Sequence, residues 1–177
     1  MKKNNCNRKM LFIFLLLFMQ LLDTGLVRAE DVSVAPVNIQ AALTLKLLAF
    51  HNELASSEKT TVYVINGSEY ASVLKKAIGK SIGSSKLSVV TEGSDIPSDK
   101  PSVIYFGGGS NLDDILAYTR SNSVLSITGD PSLVTKGVTL GFGVSNDKPK
   151  ILLNLSSSKL ESIDWNPAIL KIAITTK

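Results

Sequence analysis

The chain has 177 residues, with 19 Lys and Arg against 15 Asp and Glu and a sequence pI near 9.1. The basic excess is no nucleic-acid footprint: residues 1–29 hold five of the bases (Lys2, Lys3, Arg8, Lys9, Arg28) and one acid (Asp23), which leaves 14 of each sign and zero net charge in residues 30–177. One histidine, His51, and no cysteine beyond Cys6 exclude thiol catalysis and any imidazole or thiolate metal cluster, and aromatic residues that do not alternate with Lys or Arg exclude a nucleic-acid stacking surface.

Residues 1–29 carry the three parts of a secretory signal peptide: a basic start, the apolar run 10–22 broken only by Gln20, and Val27-Arg28-Ala29 before a cut after Ala29. A helical bilayer span needs about 20 apolar residues, more than this run supplies. Cys6 precedes the run and cannot be a lipid anchor at the cut. The expected product is an exported soluble protein of residues 30–177, one domain long and large enough to fold without disulfides.

In residues 35–55 the apolar positions Ile39, Ala42, Leu43, Leu47, Phe50 and Leu54 recur at helical spacing, with Pro36 at the first turn. Ala41, Leu45 and Leu48 widen that face, so the helix is expected to be buried on more than one side. His51, near its end, reads as a cap or a solvated residue. TTVYVI at 60–65 predicts a buried strand closed by Asn66-Gly67, and Ser68 is placed to cap a helix over 69–78. A short strand over 86–90 and a polar connection over 91–101 follow.

SVIYF at 102–106 predicts a third strand, running into Gly107-Gly108-Gly109 and a helix over 111–120 with Ser110 as cap; VLSIT at 124–128 is a fourth strand. Strands alternating with helices indicate a parallel sheet. Beyond Gly129-Asp130-Pro131 the pattern changes to two runs, 137–144 and 150–155, joined by 145–149 as an antiparallel hairpin. A last helix over 165–175, with Asn166-Pro167 in its first turn, is expected to turn Ile169, Leu170, Ile172 and Ala173 inward. The expected fold is a single three-layer α/β domain: a mostly parallel sheet, helices on both faces, and a C-terminal antiparallel hairpin.

These elements in this order resemble the YfiR family of small exported bacterial proteins. The likeness covers nearly all of residues 30–177: QAALTLKLLAF at 40–50, TTVYVINGSEYASVLKKAIG at 60–79, SVIYFGGGSNLDDIL at 102–116, and a closing region in which Lys136-Gly137, a hairpin, Asn154 on its second strand and a terminal helix keep the family's order. Departures are Glu53-Leu54-Ala55 where the family often has Trp-Pro, Ser102 where it often has cysteine, and Asn166-Pro167 where it often has two serines. The resemblance implies a periplasmic regulator that binds the sensor part of a membrane-anchored receptor, a diguanylate cyclase or sensor kinase. By holding a cyclase inactive it would lower cyclic di-GMP and biofilm formation. It also implies a possible homodimer, whereas the family's disulfides have no counterpart here, and the residues themselves give no reason to expect a cofactor or a nucleic-acid partner.

The residues leave a second class open. Asn66, Gly67, Gly107, Gly108, Ser110 and Thr128 fall at the carboxyl ends of parallel strands, where open α/β sheets bind small ligands. The glycine turn matches neither GxGxxG nor the P-loop and also reads as a tight turn needing positive φ. No catalytic set stands out: Ser-x-x-Lys at Ser72, Ser145 and Ser156 lacks its accompanying motifs, and Asp113 and Asp114 diverge as helix neighbours. Leu45 and Leu48 on the first helix are the expected partner or dimer contacts, and Trp165 reads as either an edge-of-core anchor or a further such contact.

Overall fold

The computed structural model describes residues 32–176; the signal-peptide features of residues 1–29 and the cut after Ala29 lie outside the described residues. Its strands are β1 (Ser33–Val34), β2 (Lys59–Ile65), β3 (Ser81–Ile82), β4 (Ser85–Gly93), β5 (Val103–Phe106), β6 (Leu125–Thr128), β7 (Leu140–Ser145), β8 (Lys148–Asn154) and β9 (Ile174–Thr176). Its helices are α1 (Val37–Leu47), α2 (Asn52–Ser56), α3 (Ser68–Lys75), α4 (Leu112–Asn122), α5 (Pro131–Thr135) and α6 (Leu155–Leu160). All nine described strands form one sheet in the order β3-β4-β2-β5-β6-β7-β8-β9, with β1 beside β7.

From β4 to β7 the neighbours are parallel, and the chain reverses its direction of travel across the sheet between β2 and β5, as in doubly wound folds. The β7–β8 pair is antiparallel. Alternation along the strands divides the core in two. Val62, Val64, Val103, Tyr105, Leu125 and Ile127 meet the face covered by α1 and α3, whereas Ile65, Ile104 and Phe106 meet Ile115 and Leu116 of α4 and Leu133 of α5. The expected α/β architecture is therefore the observed one. No helix among the described residues is long and apolar enough to cross a membrane.

Several element expectations are corrected. The first helix does not run through 35–55: it tightens into a 3-10 turn at Leu48–Phe50 and breaks at His51, whose backbone is extended (φ −83°, ψ 108°) because it bridges Trp165 instead. Helix α3 stops at Lys75, and the strand expected at 86–90 runs over the whole of β4, with β3 folded back on it. Neither Ser68 nor Ser110 caps a helix; Gly67 and Asn111 take the cap positions without a side-chain bond.

The hairpin turn is tighter than the expected 145–149. It is the pair Asn146-Asp147, both at positive φ (50° and 58°), the conformation of a two-residue type I′ turn. Pro149 is tolerated in β8 because β9 pairs only with Leu152–Asn154 and asks nothing of that edge. The last helix is replaced by a 3-10 turn, Pro167–Lys171, capped by Asn166, followed by β9 parallel to β8; the β-branched run Ile174 to Thr176 suits a strand. Of the four residues expected to face inward, only Ile169 is fully buried, and Leu170 and Ile172 are each 50% exposed.

Candidate functional site

The carboxyl ends of β2 and β5 meet at the sheet's switch point, where the small-ligand reading placed its site. The structure brings Asn66, Gly67, Gly107 and Gly108 together there, but against one another. Asn66 Nδ2 donates to the Gly108 carbonyl at 2.9 Å, Gly107 N donates to Ile65 O at 2.8 Å, and a Cβ on Gly107 would run into the Asn66 carbonyl. Gly67 lies against the Tyr105 ring. Gly108 has φ 114° and open space where a Cβ would be, so backbone conformation alone requires glycine there. Ser110 is exposed on the turn beyond.

Thr128 leaves the ligand set. Its side chain is buried, its hydroxyl donates to Phe106 O at 2.8 Å and accepts from Asp130 N at 3.1 Å, and nothing of it faces a crevice. Sequence reasoning missed the residue that fills this end of the sheet, Gln40 of α1. Its Nε2 donates to Ala35 O at 2.7 Å, its Oε1 accepts from the Tyr105 hydroxyl at 2.9 Å, and a Cβ on Gly129 would strike its amide. Tyr105 stacks on Tyr70 with ring centroids 3.7 Å apart, and the Tyr70 hydroxyl shares a 2.7 Å hydrogen bond with Thr44. Two polar residues one turn apart on the buried face of that helix, Gln40 and Thr44, were the available signal.

A second concavity lies where the β4–β5 crossover carries no helix. Thr61, Tyr63, Val89 and Thr91 are left uncovered on that face and floor a groove of about 580 Å³ rimmed by Pro97 and Pro101. Its floor mixes hydroxyls and apolar groups without a convergent charged set.

A third concavity is mainly apolar. Leu155, Ile163, Trp165, Pro167 and Leu170 wall an open pocket of about 350 Å³, with Ser156, Ser158 and Lys159 as its polar groups. This is the size and lining of a site that takes a small apolar ligand or a single anchoring side chain. Trp165 was expected in the core or at a partner; it is half-buried, packed on the core by one face and open to the pocket. Its Nε1 donates to Ser158 Oγ at 2.6 Å. Outside the pocket, Leu160 of α6, Ile172 and Ile174 of β9 are further exposed apolar residues.

Helix α6 is seated by polar anchors, since its buried residues are Ser157 and Ser158. At one end Asn154 Oδ1 accepts from Ser157 N and its Nδ2 donates to Val134 O, both at 2.9 Å. At the other, Glu161 is fully buried and accepts from Thr119 Oγ1 (2.7 Å), Ser126 N (3.0 Å) and Thr139 Oγ1 (2.6 Å). Burial pushes its carboxyl above the usual range, and the three donors oppose that shift.

The expected first-helix contacts separate. Leu48 is fully buried within the domain and is corrected to a core residue; Leu45 is half-buried and remains on the surface side.

A family model described as YfiR/HmsC-like matches residues 37–174. Among solved structures, a conserved domain protein from Vibrio cholerae O1 biovar eltor str. N16961 superposes with a TM-score of 0.58 at 14% identity, over 82% of this chain and 61% of that one. That likeness shows the fold, and this chain spans about 61% of the length of the structure it matches. No curated protein matches the chain.

Proposed function

Since the chain belongs to the YfiR/HmsC-like family, we propose that it is a periplasmic regulatory protein of cyclic di-GMP signalling that acts by binding the sensor part of a membrane-anchored enzyme, repressing a diguanylate cyclase. The family match over 37–174 is the observation that carries this reading. The apolar pocket around Trp165, with exposed Leu170 in its wall, is the docking surface that fits it, because a partner's apolar side chain would complete the pocket. Different affinities for two states of the receptor would shift it between on and off.

Deleting the gene is expected to raise cyclic di-GMP and surface attachment. Return of the unmodified gene restores the low level, whereas Leu170→Asp, at an exposed position, folds but does not restore it. An unchanged cyclic di-GMP level in the deletion strain counts against the cyclase link, and full restoration by Leu170→Asp counts against this surface.

A small-ligand module is the second reading, supported by the exposed glycine turn with Asn66, Gly67, Gly107, Gly108 and Ser110 ahead of α4. A thermal-shift screen with nucleotides, amino acids and cell-wall fragments tests it; a saturable shift abolished by Gly108→Arg supports it and flat curves reject it.

A further inference from the structure

We propose that His51 is a proton-operated latch on the Trp165 pocket: when the imidazole takes up a proton, the strand bridge that holds Trp165 opens and the pocket loses its wall. Two residues that occur once each in the chain meet here. His51 is its only histidine and Trp165 its only tryptophan. Their backbones form an isolated antiparallel bridge, their ring centroids lie 5.6 Å apart at 58°, and flanking bonds stitch the same seam: Asn166 N to Phe50 O at 2.7 Å and Asn52 N to Asp164 O at 3.0 Å.

The seam depends on the ring being neutral. His51 is 4% exposed and caps α2 by accepting from Leu54 N at Nδ1, at 3.5 Å. In that tautomer the single ring hydrogen is on Nε2. A second proton must enter at Nδ1, where it points at the Leu54 amide hydrogen; α2 then loses its cap and two donors face each other in a buried place. The charged groups acting on the ring are Glu53 of α2 and Asp164 of the strand-like segment before Trp165, and both favour the imidazolium. The 3-10 turn Leu48–Phe50 and the indole bring no charge. Burial opposes them and is the larger effect, so the ring stays neutral below the ordinary histidine value of 6.5. An imidazolium that draws in Asp164 also competes with Asn52 Nδ2, which holds that carboxylate at 2.8 Å. The Asp164 route therefore pulls on the segment carrying Trp165, while the lost cap and Glu53 act on α2, the other side of the same seam.

The docking role of the pocket is the reading given above, and weaker partner binding in acid rests on it; the latch itself is read without a partner. Because Trp165 is the sole tryptophan, its emission and its quenching by acrylamide report the pocket wall directly in residues 30–177, scanned between about pH 4 and 8 with circular dichroism to follow the fold. The expected result is one step with its midpoint below 6.5, toward longer wavelength and greater quenching in acid. It disappears in His51→Asn, whose amide oxygen still caps α2 but takes up no proton. Should that variant fail to fold, the imidazole nitrogen resonances of the unmodified protein give the His51 titration, and its midpoint must coincide with the tryptophan step. Flat emission over the whole range, a step that survives in His51→Asn, or midpoints that differ overturns the latch. An intact step with pH-independent partner binding removes only the docking role of the pocket.

Discussion

Gln40, on the first helix, accepts the hydroxyl hydrogen of Tyr105, on the central strand β5, at 2.9 Å. The same amide donates to Ala35 O, so one side chain ties the chain's entry into the domain to the carboxyl end of the sheet. Burial pushes the Tyr105 hydroxyl up to about 12, which keeps it a neutral donor. Gln40→Ala removes the acceptor of the Tyr105 hydroxyl and the donor to the Ala35 carbonyl and should cost about 2 kcal/mol in urea unfolding. Tyr105→Phe should cost less, and the double variant less than the sum, because one interaction cannot be lost twice. Additive costs would show that the two residues do not support each other.

Glu161 gives a pH dependence whose sign is fixed by its burial. Its folded carboxyl is raised above the ordinary 4.5, so its contribution to stability is fully present below 4.5 and is lost as pH rises through the folded value. Thr139→Val removes a donor to the carboxylate, which should cost about 2 kcal/mol at neutral pH and less in acid. His51 acts oppositely: its lowered value means stability is lost as pH falls below 6.5. Unfolding curves of Thr139→Val and His51→Asn over the same pH range separate the two, and a Thr139→Val cost that does not shrink in acid rejects the account of Glu161.

Leu48 and Leu45 sit three residues apart and should behave differently. Leu48→Ala, in the core, is expected to cost about 3 kcal/mol, and Leu45→Ala about 1 kcal/mol. Leu45→Asp should then stay folded, so chromatography at high concentration asks whether it loses a dimer that the unmodified protein forms. Equal costs for the two alanine variants would contradict the burial of Leu48.

The Asn146-Asp147 turn holds two L-residues in the left-handed region, where glycine is at ease in the second position. Asp147→Gly should raise stability by about 0.5 kcal/mol, and Asp147→Val should lower it by about 1–2 kcal/mol. Thermal melts decide; a stabilising valine would mean that the turn is not type I′.

The parts of this protein legible in its sequence are those set by local chemistry. The runs TTVYVI, SVIYF and VLSIT are strands because β-branched and aromatic residues suit the middle of a sheet, with β5 and β6 buried on both faces, and the switch of pattern after Gly129 is the change to an antiparallel pair. The glycine turn at 107–109 was legible as a backbone requirement, which Gly108 and Gly109 meet at φ 114° and 135°. The last region was misread for a physical reason: apolar residues in 165–175 suit a helix or a strand, and the free edge of β8 took Ile174–Thr176 as β9.

By itself the sequence determined the α/β class, the order of the parallel strands in the chain and the family, because side-chain period and turn residues act over a few neighbours. Tertiary structure alone decided which surfaces remain. His51 left the helix for a bridge to a residue 114 positions away, Gln40 closed the strand ends, and Leu48 went inside while Leu170 stayed out. Those outcomes depend on which polar group finds a partner and which apolar face finds a neighbour across the fold, and both are properties of packing that no local pattern carries.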